Sequence, residues 1–214
     1  MSLEITKRII SSIVLFPFCI FIIIEGSYFF YSTLILIFFI SLYEWHLLSK
    51  NNYFYFFGYL YIFISFCCVV LLRINFENDY WLLLTVTLIC IFTDIGGFLF
   101  GKIFKGPKLT KYSPNKTYSG SIGSFILSIC SIFLVLSFNP NNNIFFLNYI
   151  FFSIIISFVS QIGDIIVSYF KRVSKIKDTG KLIPGHGGIL DRIDGMLLAF
   201  PVAYLLQVFN ILII

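Results

Sequence analysis

Apolar runs of membrane length, separated by short polar segments, set the organisation of this chain. A helix that crosses a bilayer needs about 20 mostly apolar residues at roughly 1.5 Å of rise each. Seven runs approach that length: residues 9–24, 28–48, 54–72, 81–100, 122–138, 144–170 and 189–213. The sixth is long enough either to be broken or to run past the membrane surface. The pattern predicts an all-α integral membrane protein with about seven transmembrane helices. Three spans fall in an N-terminal part, residues 1–80. Four fall in residues 81–214, together with the two longest polar loops, 101–121 and 171–188.

Composition removes the soluble alternative. Of 214 residues, 59% are hydrophobic and 12% charged, where a soluble domain carries about 25% charged residues. Such a chain cannot cover itself with polar surface, so the bilayer is its solvent. Lys7-Arg8 precedes the first run, but no small-residue cleavage site follows it, and that run is expected to be a retained span. Cys19, Cys67, Cys68, Cys90 and Cys130 lie inside apolar runs without CxxC or Cys/His spacing, and are expected to be small buried hydrophobes.

Charge then orients the spans. With the N-terminus inside, the cytoplasmic segments collect Lys7, Arg8, Lys50, Lys102, Lys105, Lys108, Lys111, Lys116, Lys171, Arg172, Lys175, Lys177 and Lys181. The opposite side holds Arg73, in a loop with Glu77 and Asp79, while Arg192 lies within the last run. The expected topology is therefore N-terminus cytoplasmic, C-terminus on the other side. An even number of spans would put one of the two large basic loops on the wrong side. Ordinary positive-inside bias and anionic headgroups account for the sign of these loops, but not for acids buried beside them.

Asp94, Asp164, Asp191 and Asp194 all fall inside expected spans near cytoplasmic ends. A charged residue at the centre of an isolated membrane helix costs roughly 2.5–3.5 kcal/mol on insertion scales. Such acids need either a structural partner among the nearby Lys and Arg or a functional purpose. On the sixth run Ser160, Asp164 and Ser168 are four apart and line one stripe, which Lys171 and Arg172 continue, and Gln161 is placed to orient Asp164. On the seventh, Asp191 and Asp194 share a face, with Arg192 and Gly195 beside them. That helix follows Pro184-Gly185-His186-Gly187-Gly188, and glycines before a helix let backbone N–H groups converge on an anion. An acid in a first helical turn also gains from the helix dipole, which suits Asp191 better than Asp194.

Acids on two helices, glycine-framed amides and several cations suit a metal-bound polyphosphate. Mg²⁺ takes one or two carboxylates plus substrate phosphates, and Lys and Arg neutralise the remaining phosphate charge. Zinc is not indicated, because His46 and His186 have no cysteine near them. Neither a GxxxxGK[ST] loop nor a GxSxG elbow occurs. The other basic loop carries Ser113-Pro114-Asn115-Lys116-Thr117, a Pro-fixed turn able to hold a phosphate or a headgroup.

The run Ser168-Tyr169-Phe170-Lys171-Arg172, then Lys177-Asp178-Thr179-Gly180, then Pro184 to Asp194 resembles the signature of phosphatidate cytidylyltransferases. Asp94 to Phe98, Gly101-Lys102 and Ser113 to Thr117 resemble two further stretches of that family, and Glu44-Trp45 a less specific one. Two positions depart: the family's usual glutamate after Lys-Thr-aromatic is Ser119 here, and the first lysine of its Lys-Lys pair is Asn115. The resemblance implies transfer of a cytidylyl group from CTP to phosphatidic acid, giving CDP-diacylglycerol and pyrophosphate. It implies residues 81–214 as the catalytic part, with a centre of Mg²⁺ and a monovalent cation such as K⁺ on Asp164 and Asp191, supported by Asp194. Lys171, Arg172, Lys177 and Arg192 are then expected to bind phosphates. His186, Gly187 and Gly188 are expected to shape the nucleotide pocket, with Asp94, Ser113, Lys116, Thr117 and Asp178 also on substrate. Membrane lipids and a second copy of the chain are the implied partners, in a bacterial inner membrane, with the site facing the cytoplasm and no nucleic acid involved.

Other classes fit less well. A CTP-dependent enzyme acting on a polyprenol or ether lipid would share the chemistry, but the close signature argues against it. An alcohol phosphatidyltransferase needs a DGxxAR…GxxxDxxxD pattern that is absent. A transporter with intramembrane acids would need neither the Gly-His-Gly-Gly turn nor lysines gathered on one side.

Overall fold

A computed structural model describes residues 15–49, 55–74, 80–111, 113, 116–138, 146–176, 178–180, 182 and 187–211. Among the expected site residues, Lys177 and His186 lie outside these. The described residues form helices α1 (Leu15–Glu25), α2 (Ser27–Ser49), α3 (Tyr55–Ile74), α4 (Trp81–Phe104), α5 (Tyr118–Phe138), α6 (Phe146–Val173), α7 (Leu190–Ile193) and α8 (Met196–Val208). Helices α2 to α6 are long and apolar enough to cross a membrane, while α1 and α8 are shorter. The chain is a multi-pass membrane protein. In hydrocarbon the backbone must satisfy itself, which favours helices throughout. Intramembrane hydroxyls follow the same rule: Ser41 Oγ donates to Ile37 O and Thr87 Oγ1 to Leu83 O, one turn back.

The sixth expected span is unbroken. At 28 residues, α6 is about 42 Å long, more than the roughly 30 Å hydrocarbon core, with Lys171 and Arg172 in its last turn. The last expected run is not one helix but α7 and α8, with Pro201 inside α8. The interruption has a local cause: Gly195 N donates to Asp194 Oδ1 at 2.9 Å instead of continuing the helical ladder. Backbone angles stay helical through Asp194 (φ −54°, ψ −43°) and Gly195 (φ −68°, ψ −38°), so the two pieces follow one another without a turn.

The core gathers around α4, whose Leu83, Val86 and Ile89 are fully buried with Ile132 of α5, Phe152 and Ile156 of α6, and Ala199 and Ala203 of α8. Below that core α4 and α5 meet backbone to backbone. A Cβ at Gly96 would stand 2.4 Å from Gly123 O, and one at Gly120 2.7 Å from Gly97 O. Small residues permit this approach, as in other membrane helix pairs. It brings Asp94 on α4 and the segment leading into α5 to the same end of the bundle as the polar end of α6.

Candidate functional site

The site begins with the α6 stripe. Ser168 Oγ donates to Asp164 Oδ1 at 3.2 Å, as their four-residue spacing requires. The other oxygen, Oδ2, is ion-paired to Lys116 Nζ. Lys116 is delivered by a small hairpin: Lys108 and Thr117 form an antiparallel bridge, Leu109 N donates to Lys116 O at 2.8 Å, and Tyr118 N to Pro107 O at 3.2 Å. Thr117 Oγ1 then accepts from Gly120 N at 3.1 Å, an N-cap that starts α5 and fixes where the lysine leaves the helix. Ser113 lies in the same hairpin, its amide on Thr110 Oγ1. Ser119 Oγ donates to Lys105 O, so the serine standing in place of the family's glutamate ties the hairpin to the end of α4.

Under Lys116 a polar ladder crosses three helices. Gln161 Oε1 accepts from Ser121 Oγ at 2.6 Å, and Gln161 Nε2 lies 3.5 Å from Ser157 Oγ. Ser157 shares a hydrogen bond with Thr93 at 2.8 Å, and Ser124 Oγ donates to Thr93 O at 2.7 Å. Gln161 thus links α6 to α5, rather than bonding Asp164 itself.

Asp194 enters from the α7–α8 junction. A Cβ at Gly163 would lie 2.9 Å from Asp194 O, and one at Gly195 2.5 Å from Ser160 Oγ. This glycine-against-glycine contact seats the junction directly on α6, next to Asp164. Asp194 is 7% exposed and lies within electrostatic reach of Asp94, Asp164, Lys116 and Lys171. Asp94 is within reach of Asp164, Lys116 and Arg192, and unlike Asp194 it keeps an exposed face. Three carboxylates from three separate segments thus converge with two lysines. Arg172 is exposed and turns toward Ile176 O.

Asp191 joins the cluster through Lys171. Its Oδ1 accepts from Lys171 Nζ at 2.8 Å, and its Oδ2 accepts from Thr179 N at 2.8 Å and Gly188 N at 3.0 Å. It therefore closes the loop that runs from Asp178 to Leu190. Gly187 sits at φ +86°, and a Cβ there would meet Asp191 Oδ2 at 2.7 Å, so both conformation and space demand glycine. Asp178 borders the same glycine and is exposed.

Glu44 on α2 is a site residue that spacing did not bring forward. It is 1% exposed and accepts from Thr179 Oγ1 at 3.1 Å, Ile189 N at 3.0 Å and Leu190 N at 2.8 Å. The glycine-framed amides do converge on an anion, but here the anions are the protein's own carboxylates, Glu44 and Asp191. The signal is in the sequence: Glu44 is an acid inside an apolar run, like the four aspartates.

Among the described residues, no three of His, Cys, Asp and Glu are grouped as metal ligands. Asp164 and Asp191, the expected ligands, are each held by a lysine. The donor type nonetheless suits a hard divalent cation that takes few protein carboxylates and completes its shell with phosphate and water.

A family model described as the cytidylyltransferase family matches residues 52–209. The phosphatidate cytidylyltransferase of Rickettsia conorii is 34% identical over 210 residues, covering 94% of this chain and 90% of that protein. The phosphatidate cytidylyltransferase of Rickettsia bellii is 36% identical over 208 residues, covering 94% and 89%. That of Brucella suis is 41% identical over 114 residues, covering 53% and 42%.

Proposed function

We propose how this site works on the premise that the chain belongs to the cytidylyltransferase family and transfers a cytidylyl group from CTP to phosphatidic acid. The observation that carries the proposal is the convergence of Asp94, Asp164 and Asp194 with Lys116 and Lys171 at one end of the bundle. A phosphate oxygen of phosphatidic acid attacks the α-phosphorus of CTP. The bond from that phosphorus to the β-phosphate oxygen breaks, pyrophosphate carries away the electron pair, and CDP-diacylglycerol remains. No enzyme nucleophile is needed, so catalysis comes from positioning and charge neutralisation.

Mg²⁺ held by Asp164 and Asp191, with Asp194 in support and a monovalent ion beside it, would supply charge neutralisation to the triphosphate. The protein's own part is an exchange of partners. In the structure Lys116 and Lys171 are ion-paired to Asp164 and Asp191. On binding, both lysines turn to phosphate oxygens, joined by Arg172, Arg192 and Lys177, and each carboxylate is freed for the cation. Ammonium groups suit this because they bind phosphate as mobile point charges. Asp178, His186, Gly187 and Gly188 border the cytidine, and Ser113 and Thr117 hold the hairpin that presents Lys116.

The Lys/Arg distribution supports seven spans with the site facing the cytoplasm, and the bacterial relatives support a bacterial inner membrane. A homodimer is part of the same proposal. The test uses purified protein in lipid vesicles with CTP labelled at the α-phosphate, phosphatidic acid and Mg²⁺, followed by lipid extraction. Label should enter the lipid phase only when phosphatidic acid is present. Its absence under all divalent and monovalent conditions tried, or equal labelling of a polyprenyl phosphate, defeats the assignment.

A further inference from the structure

The loop that carries Asp178, Gly187 and Gly188 is held from α2, far away along the chain. The Glu44 carboxylate grips both ends of that loop. It takes the Thr179 hydroxyl at the entry and the Ile189 and Leu190 amides at the exit. Asp191 takes the Thr179 and Gly188 amides from the other side. Drawing loop ends together costs chain entropy, and buried amides left unpaired cost more. The two acids satisfy both demands, and together they set the spacing between Thr179 and the start of α7.

Space has been made for this grip. A Cβ at Gly188 would stand 2.4 Å from Glu44 Oε2, and one at Gly180 2.6 Å from Glu44 Oε1. The post carrying the carboxylate is itself locked. The Trp45 indole donates to Tyr55 O at 2.9 Å, and its ring meets Phe170 of α6 edge-on at 5.3 Å. A Cβ at Gly58 would overlap that ring. Trp45 thus ties the Glu44 turn of α2 to Tyr55 at the start of α3 and to α6.

We propose that Glu44 is a positioning residue for nucleotide binding. It touches no substrate; it fixes the loop and, through Thr179 and Asp191, the direction in which Lys171 is presented. The N-terminal helices are thus part of the site rather than membrane ballast. This rests on assigning the loop from Asp178 to Leu190 to the nucleotide, and the experiment separates the two claims.

Glu44→Gln keeps the shape but sets an amide against backbone N–H groups. Losing a buried hydrogen bond to a charged acceptor corresponds to about tenfold or more. Glu44→Gln should therefore raise KM for CTP about tenfold while KM for phosphatidic acid stays within about twofold, with a lowered melting temperature in a protein that still folds. Gly188→Ala, which pushes a methyl onto the same carboxylate, should show the same split. If Gly188→Ala raises KM for CTP and Glu44→Gln does not, or moves both KM values together, Glu44 is merely structural and the proposal is overturned. If Gly188→Ala leaves KM for CTP unchanged, the loop assignment fails and the proposal falls with it. Should Glu44→Gln not accumulate in membranes, Glu44→Asp decides on the same readout: a selective rise in KM for CTP supports the proposal, and unchanged kinetics overturn it.

Discussion

Gly163→Ala tests how finely the acids are spaced. A methyl at residue 163 would stand 2.9 Å from Asp194 O, 3.1 Å from Gly195 O and 3.2 Å from Gly195 Cα. All three are backbone atoms, so no rotamer change relieves the contact. Relaxed contact begins at 3.4 Å, so α6 and the α7–α8 junction must part by about half an ångström; overpacking of this kind typically costs about 1–3 kcal/mol. The strain falls between Asp164, the next residue on α6, and Asp194, whose carbonyl is struck. A misplacement of about 1 Å at a reacting centre costs about a hundredfold, so half of that should lower kcat about tenfold. The assay is the initial rate of label transfer from CTP into vesicle lipid at saturating substrates, with melting temperature followed in parallel. A folded Gly163→Ala protein whose kcat is within about twofold of the parent would refute the idea that this helix contact sets the catalytic geometry.

The two aspartate-to-asparagine changes should differ in kind. Asp164→Asn and Asp191→Asn should each lower turnover by about a hundredfold or more, but only Asp191→Asn should also lower the melting temperature, because Asp191 holds two loop amides as well as Lys171. Near-normal turnover in either removes that residue from the proposed metal site. Lys116→Ala should lower kcat/KM for CTP by about tenfold, the scale of one charge-assisted phosphate contact, and unchanged kinetics would refute the partner exchange. Chelation by EDTA should abolish label transfer and added Mg²⁺ should restore it; activity that survives chelation would defeat the divalent centre.

What the sequence disclosed and what it hid divide along a physical line. Hydropathy reports length in hydrocarbon, and so it located α2 to α6 to within a few residues. It could not see that α4 continues to Phe104, because a helix leaving the apolar layer need not stop there. Nor could it see the break after α7, which turns on one amide choosing the Asp194 carboxylate over the helical ladder. Helical spacing reports neighbours within one element, and so the stripe Asp164–Ser168 was legible while its partner was not. Lys116 reaches Asp164 from the hairpin before α5, and the positive-inside rule speaks only to the side of the membrane on which a lysine is expected. Glu44 shows the limit most clearly, since it bonds Thr179 and Leu190 across 135 and 146 residues of chain. The glycines around it carried a true but incomplete message: something negative and unyielding approaches the backbone there. Sequence pattern alone assigned that role to a phosphate, because phosphate-binding loops favour glycine for the same reason. In this protein two carboxylates, Glu44 and Asp191, take the amides of Thr179, Gly188, Ile189 and Leu190, so those N–H groups are already satisfied from within the chain.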